Sequence, residues 1–294
     1  MKQACVVEVG PRDGFQSVKE FIPIEIKLAV IDGLVGAGLG RIQVTSFVSP
    51  KAIPQMQDAA QIVNRVLDKH PSTEFFALTP NLKGAKAAAE SGLKEICVVL
   101  SLSESHNMAN VRQTVEQSVE GIAVIRQELP DMKISVDIAT VFGCPFEGQM
   151  EIPPLIDLIG KLSESGMDSF TLCDTIGVAY PSQVETVFGA VKSAFPGCVF
   201  GAHIHDTRNM GVMNSYVSLQ NGAQSVQTSV AGLGGCPFAP GASGNTATED
   251  FVYLLEKEGY STGVNFSKLL DTAKYLKSNV PSGNYSGHHI NIQD

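Results

Sequence analysis

The chain has 294 residues, 44% of them hydrophobic and 17% charged, and its net charge is −9. That balance suits a packed globular core and argues against disorder; the acidic surplus argues against nucleic-acid binding, because nothing would neutralise the phosphates. No apolar run approaches the roughly 18 residues of a membrane span, and the 6 cysteines, none in a C-x-x-C pair, argue against a disulfide framework or a zinc knuckle.

Met1 leads almost directly into a strand-like run, leaving no room for a signal or transit peptide, and the final Asn291-Ile292-Gln293-Asp294 is not a peroxisomal signal. A cytoplasmic protein is expected. Short runs rich in β-branched residues predict strands at Ala4–Val9, Arg41–Thr45, Glu74–Leu78, Glu95–Leu100, Ile134–Ala139, Ser169–Leu172, Val199–Ile204 and Ser225–Val230. Between them, amphipathic spacing predicts helices at Pro23–Ala37, Ala59–Lys69, Gly84–Ser91, Val111–Glu128, Ile152–Ser165, Ser182–Ala194 and Met213–Asn221. Such alternation means parallel strands with helical crossovers, and eight units predict a closed (β/α)8 TIM barrel, with a doubly wound open sheet as the runner-up. Residues 1–294 are expected to form one catalytic domain. From about Thr246 the chain reads as helices covering the barrel, and Ser282–Asp294 as a loose tail. Gly36-Ala37-Gly38-Leu39-Gly40 has dinucleotide-loop spacing but follows a helix and precedes a strand, the reverse of what that motif needs.

In a barrel, active-site residues sit just after the strands. The first strand runs into Gly10-Pro11-Arg12-Asp13-Gly14, either a turn with a solvated ion pair or a carboxylate ligand beside an oxyanion-stabilising cation. The seventh ends in His203-Ile204-His205-Asp206; residues two apart on a strand share a face. Both imidazoles therefore point into the barrel as a two-ligand metal site or a structural pair, with Asp206 a candidate to orient one of them. The eighth strand feeds Gly232–Asn245, a loop with Gly232, Gly234, Gly235, Gly241 and Gly244 that permits close backbone approach and movement. It carries Cys236, a buried bystander or a proton mover, and ends at Asn245, an oxygen ligand or a helix N-cap. Thr45-Ser46, Asn81, Lys83, Ser103, Glu104 and Asp174 also follow strands, where turn or cap roles are commoner. His288-His289 reads as a solvated pair, and His70 and His106 carry no functional signal.

Together, Val7–Gly14, Thr45–Lys51, Leu78–Gly84, Gly143-Cys144-Pro145, Asp174-Thr175-Ile176-Gly177, His203–Thr207 and the Gly232–Asn245 loop resemble, in order, the 3-hydroxy-3-methylglutaryl-CoA lyase family of the metal-dependent lyase and condensing-enzyme superfamily. The resemblance implies Mg2+ or Mn2+ held by Asp13, His203, His205 and Asn245. It implies substrate contacts from Arg12, Gln43, Thr171, Asp174, Arg208 and Glu249, with Glu249 also supporting the glycine loop, and coenzyme A contacts from Asn81 and Lys83. It further implies retro-Claisen cleavage of an acyl-CoA to acetyl-CoA and a keto acid. A base, His203 among the candidates, removes the hydroxyl proton; Arg12 stabilises the acetyl-CoA enolate, and Cys236 returns a proton to it. A homodimer is expected by family analogy.

Three positions depart from the family pattern. Gln43 stands where a glutamate is usual, Arg208-Asn209 where a tyrosine–glycine pair is common, and Ser135-Val136-Asp137 lacks the usual arginine of the fifth strand. These put a different branched hydroxyacyl-CoA in view as substrate. The other rival, a condensing enzyme of the isopropylmalate or citramalate synthase type, would share the metal residues but usually carries a long C-terminal extension.

Overall fold

A computed structural model describes residues 2–235 and 244–292 of the chain. Eight parallel strands close on themselves: β1 (Cys5–Glu8), β2 (Arg41–Ser46), β3 (Glu74–Leu78), β4 (Glu95–Ser101), β5 (Lys133–Ala139), β6 (Ser169–Asp174), β7 (Val199–Ile204) and β8 (Ser225–Thr228). The last pairs with the first through Val7 beside Gln227. The expected barrel is thus formed rather than an open sheet, with strands where the β-branched runs predict them. Gly36–Gly40 lies between a helix and β2, as the order of elements requires.

The strands alternate in burial in a way that defines the interior. Outward residues such as Val136, Ile138, Leu172, Ala202 and Val226 are sealed at 0% exposure against the helices. Their inward neighbours Ser135, Asp137, Thr171, His203 and Gln227 keep 4–7%, so solvent reaches this side of the barrel. Val7, Val9, Phe76 and Cys97 form a small apolar cluster toward β1, β3 and β4. The interior is therefore part dry and part polar; β5 to β8 build most of the polar part, joined by Gln43 of β2.

The helices are α1 (Ile24–Gly36), α2 (Ala59–Lys69), α3 (Leu82–Glu90), α4 (Glu104–Val111), α5 (Val115–Glu128), α6 (Ile152–Glu164), α7 (Pro181–Ala194), α8 (Gly211–Gln220), α9 (Thr248–Lys257) and α10 (Phe266–Asn279). One differs from the sequence expectation: Val111–Glu128 is not a single helix. Arg112 turns left-handed (φ 58°) and ends α4, and Thr114 with Gln117 forms a reciprocal capping box that starts α5.

The tail is also not loose up to Ile292. The Gly234 N–H donates to the Asn284 carbonyl at 3.2 Å, the Gly287 N–H donates to the Ala231 carbonyl at 3.0 Å, and Ser286 Oγ donates to the carbonyls of Gly232 and Asn245. His288 and His289, expected as a solvated pair, each present a backbone N–H and Nδ1 to the Asp250 carboxylate. Backbone donors and small side chains do this anchoring, so hydropathy carries no trace of it. Gly232 sits at φ +62°, and a Cβ there would come within 2.1 Å of Ser286 Oγ and 2.8 Å of the Gly287 nitrogen. Gly232→Ala is expected to cost about 1–3 kcal/mol from the strained backbone and to release the tail. Urea unfolding and limited proteolysis check this; unchanged stability with a protected tail contradicts it.

Candidate active site

After β1 the chain makes one wide helical turn, Gly10–Gly14, whose first bonds return the Arg12 and Asp13 N–H groups to the Val9 carbonyl at 3.0 and 2.7 Å. This turn aims both side chains over the barrel mouth. The Arg12–Asp13 pair, 2.5 Å apart, is buried, with side chains 8% and 12% exposed, so the solvated-turn alternative does not hold. Arg12 Nε also donates to Gln43 Oε1 from β2, a residue fully buried whose Nε2 has no partner. Where a glutamate would give Arg12 a second ion pair, Gln43 gives it a neutral acceptor.

Asp13, His203 and His205 bring one ligand atom each to within 4.8 Å of one another. The two Nε2 atoms lie 3.2 Å apart, and His203 Nε2 is 4.0 Å from Asp13 Oδ2. Asn245 reaches the same place from the far end of the glycine loop. Its Nδ2 donates to Asp13 Oδ2 at 2.8 Å and to the Leu233 carbonyl at 3.2 Å. Both of those partners only accept, so the amide orientation is fixed, and its Oδ1 is left buried with no partner among the described residues. Ala247, not Asn245, caps α9, so the N-cap reading of Asn245 is set aside. A buried carbonyl oxygen lacking a donor is costly, and with two imidazoles and a carboxylate beside it the donor set fits a hard divalent cation.

The electrostatics agree. Burial pushes Asp13 up, but Arg12, His203, His205 and the Asn245 amide outweigh it and hold the carboxyl at about 2. Burial, with His203 beside it, brings His205 down to about 4 against the pull of Asp13. The carboxylate is ionised and His205 neutral near neutrality, the protonation states that metal binding requires.

Other expected residues fall elsewhere. Thr171 faces the interior and accepts from Gln227 Nε2 at 3.3 Å. Asp174 uses both carboxylate oxygens on the N–H groups of Val178 and Ala179, holding the loop after β6. Arg208 is exposed and donates to the carbonyls of Gly177 and Ile176 on that loop. Glu249 is fully buried and accepts the Ala231 N–H at 2.9 Å, so it braces the glycine loop from beneath and is not open to a substrate. Asn81 caps α3 by accepting the Gly84 N–H at 3.0 Å, and Lys83 is exposed on that helix. Neither is hydrogen-bonded to the cluster. Cys236 lies outside the described residues. Ser103 caps α4. Asp206 accepts the Gly211 N–H at the start of α8, while the partner that meets His203 is Gln227, whose Oε1 lies 2.9 Å from Nδ1. Gln227 gives one sequence signal, a polar residue at inward parity in the last strand.

The HMGL-like family model matches residues 3–276. The chain belongs to that family. Hydroxymethylglutaryl-CoA lyase of Bacillus subtilis is 40% identical to it over 281 residues, 95% of this chain and 94% of that protein. The human mitochondrial hydroxymethylglutaryl-CoA lyase is 40% identical over 277 residues, 94% and 85% of the two chains. The crystal structure of the Bacillus subtilis HMG-CoA lyase superposes with a TM-score of 0.94 at 38% identity, covering 99% of this chain and 97% of that one. That of an HMG-CoA lyase from Acinetobacter baumannii, in complex with coenzyme A and 3-methylmalate, does so at 0.91 and 35%, with 99% and 97% covered.

Two predictions follow from this HMGL-like site. Calorimetric titration should detect Mn2+ binding that His205→Ala abolishes; equal uptake by the variant contradicts the cluster. The second concerns Glu249, which burial, with Asp250 and Glu8 nearby, raises from 4.5 to about 8. A carboxyl raised on folding contributes stability that is full below its unfolded value and is lost as pH climbs through the folded one. The contribution of Glu249 to stability should therefore fall between pH 4.5 and about 8. Glu249→Gln, which keeps an acceptor for Ala231 but cannot ionise, should flatten that fall. Melting temperatures across pH check this, and parallel curves contradict it.

Proposed function

We propose that this chain is a divalent-cation-dependent carbon–carbon lyase that cleaves 3-hydroxy-3-methylglutaryl-CoA, or a close 3-hydroxyacyl-CoA, to acetyl-CoA and a keto acid. The observation that carries the reading is the convergence of Asp13, His203 and His205 with the unpaired Asn245 Oδ1 beside the Arg12 guanidinium. Oxygen and imidazole donors in this mixture suit Mg2+ or Mn2+, with Asp13, His203, His205 and Asn245 as the residues that hold the ion. Bound there, the cation supplies Lewis-acid polarisation of the substrate's hydroxyl and carboxylate oxygens.

The chain's own groups then divide the work. With Nδ1 donating to Gln227, the one lone pair of His203 is on Nε2 and serves the cation, so a water beside the site is the candidate to take the hydroxyl proton. As that proton leaves, the hydroxyl carbon becomes a ketone, the neighbouring carbon–carbon bond breaks, and its electron pair passes to the acetyl-CoA enolate. Arg12 has five N–H donors, of which Nε and one on Nη1 serve Gln43 and Asp13. The remainder can hold the thioester oxygen while negative charge collects on it. Cys236 returns a proton to the enolate carbon. The loop that carries it is pinned at both ends, since Leu233 bonds Asn245 on one side and Asn245 bonds Asp13 on the other, so loop position and ligand position are linked.

Cleavage is favoured over condensation because the similar curated proteins are named as lyases. A CoA thioester is favoured by the coenzyme A in the Acinetobacter baumannii relative. A cytoplasmic homodimer completes the reading by analogy.

A coupled assay with 3-hydroxy-3-methylglutaryl-CoA and Mg2+ should give turnover of about 1–10³ per second. Arg12→Gln should lower kcat by about 10²–10³-fold with a much smaller change in KM. Net synthesis from acetyl-CoA and a keto acid without cleavage would overturn the reading, as would an Arg12 effect confined to KM.

A further inference from the structure

The polar part of the barrel holds a connected set of groups beneath the candidate metal site. Gln227 Oε1 faces His203 Nδ1 at 2.9 Å. Its Nε2 faces Asp137 Oδ1 at 3.2 Å and Thr171 Oγ1 at 3.3 Å. Asp137 is 4% exposed; the groups it touches, the Gln227 amide and the Cys97 thiol, are neutral, and the nearest cation, Arg12, acts on the same thiol. Burying a carboxyl group there is unfavourable, and barrel closure does not require it: inward positions of β1 and β3 are filled by Val7 and Phe76.

The geometry points to Asp137 and Gln227 as positioning residues that fix the tautomer of His203. The Gln227 NH2 donates to Asp137 Oδ1 and to Thr171 Oγ1, so that end of the amide is turned inward. Its carbonyl oxygen must then face His203 Nδ1. A carbonyl oxygen also only accepts, so the Nδ1 atom carries the ring proton. That leaves the lone pair on Nε2, the atom 3.2 Å from His205 Nε2 and 4.0 Å from Asp13 Oδ2. Without this chain of constraints the amide could flip and the imidazole could present N–H to the site, where no cation could be bound by it. Thr171, expected as a substrate contact, belongs to this set as a second acceptor for the same NH2. The inference rests on the metal-site reading above and adds the residues that make His203 competent for it.

Two measurements separate the parts. Nitrogen-15 NMR of histidine-labelled, metal-free protein in mildly alkaline buffer reads the tautomer directly, the His203 signal being assigned by its loss in His203→Gln. The parent chain should show the proton on Nδ1, and Asp137→Asn and Gln227→Leu should shift population to the Nε2–H form. Calorimetry with Mn2+ should show affinity about 10–100-fold weaker in Gln227→Leu, with a smaller loss in the near-isosteric Asp137→Asn. A parent His203 protonated on Nε2 overturns the inference, and so does a folded Gln227→Leu that binds Mn2+ as tightly as the parent. If the parent takes up no Mn2+ at all, the metal reading fails by itself, and the tautomer signal still decides the role of Gln227 and Asp137.

Discussion

The site depends on keeping one carboxylate ionised in a pocket that excludes most water. Burial alone would neutralise Asp13. Arg12 at 2.5 Å, two imidazoles and the Asn245 amide reverse that. They come from three stretches of chain, the turn after β1, the end of β7 and the exit of the glycine loop. Each is held by its own backbone bonds before it reaches Asp13. Closing the barrel between β8 and β1 brings the first and last of these together, so fold and site are formed by the same strand pairing. The charge balance is also local: an acidic chain of net charge −9 carries at this point a buried cationic neighbour matched to one carboxylate.

Around that centre, buried acids act as struts. Glu8 accepts the N–H groups of Gly10 and Val230 and the Thr248 hydroxyl, joining the Arg12–Asp13 turn to the loop after β8 and to α9. Burial raises it to about 7 against those bonds. Glu249 ties Ala231 to α9 in the same way. Near neutrality these carboxyls are partly or wholly protonated and hold backbone donors without adding charge beside Asp13. The tail completes the support, with Ser286 bonding both ends of the glycine loop through the carbonyls of Gly232 and Asn245. The segment that carries Cys236 is therefore fastened at its base on three sides.

Much of this was legible in the sequence because it follows from short-range pattern. Parallel strands in a barrel are short, largely apolar runs, and Glu74–Leu78 and Val199–Ile204 were readable to the residue. His203 and His205 share a face by strand periodicity, and Arg12-Asp13 falls at a strand end. What was not legible depends on which partner a polar side chain meets. Asn81 and Asp174 follow strands just as Asp13 does, yet their oxygens satisfy nearby backbone N–H groups. Asp206 is adjacent in sequence to His205, but the partner of His203 is Gln227, on the next strand. The tail looked loose because its anchors are backbone groups, a serine and two histidines bound to Asp250, none of which shows in hydropathy.

The central claim is that Asp13, His203, His205 and Asn245 share one ion. Anomalous diffraction from a crystal grown with Mn2+ tests it most directly. The account predicts a single strong peak within bonding distance of Asp13, His203 Nε2, His205 and Asn245 Oδ1. A peak elsewhere in the barrel, or a site that Asn245 does not touch, would contradict it.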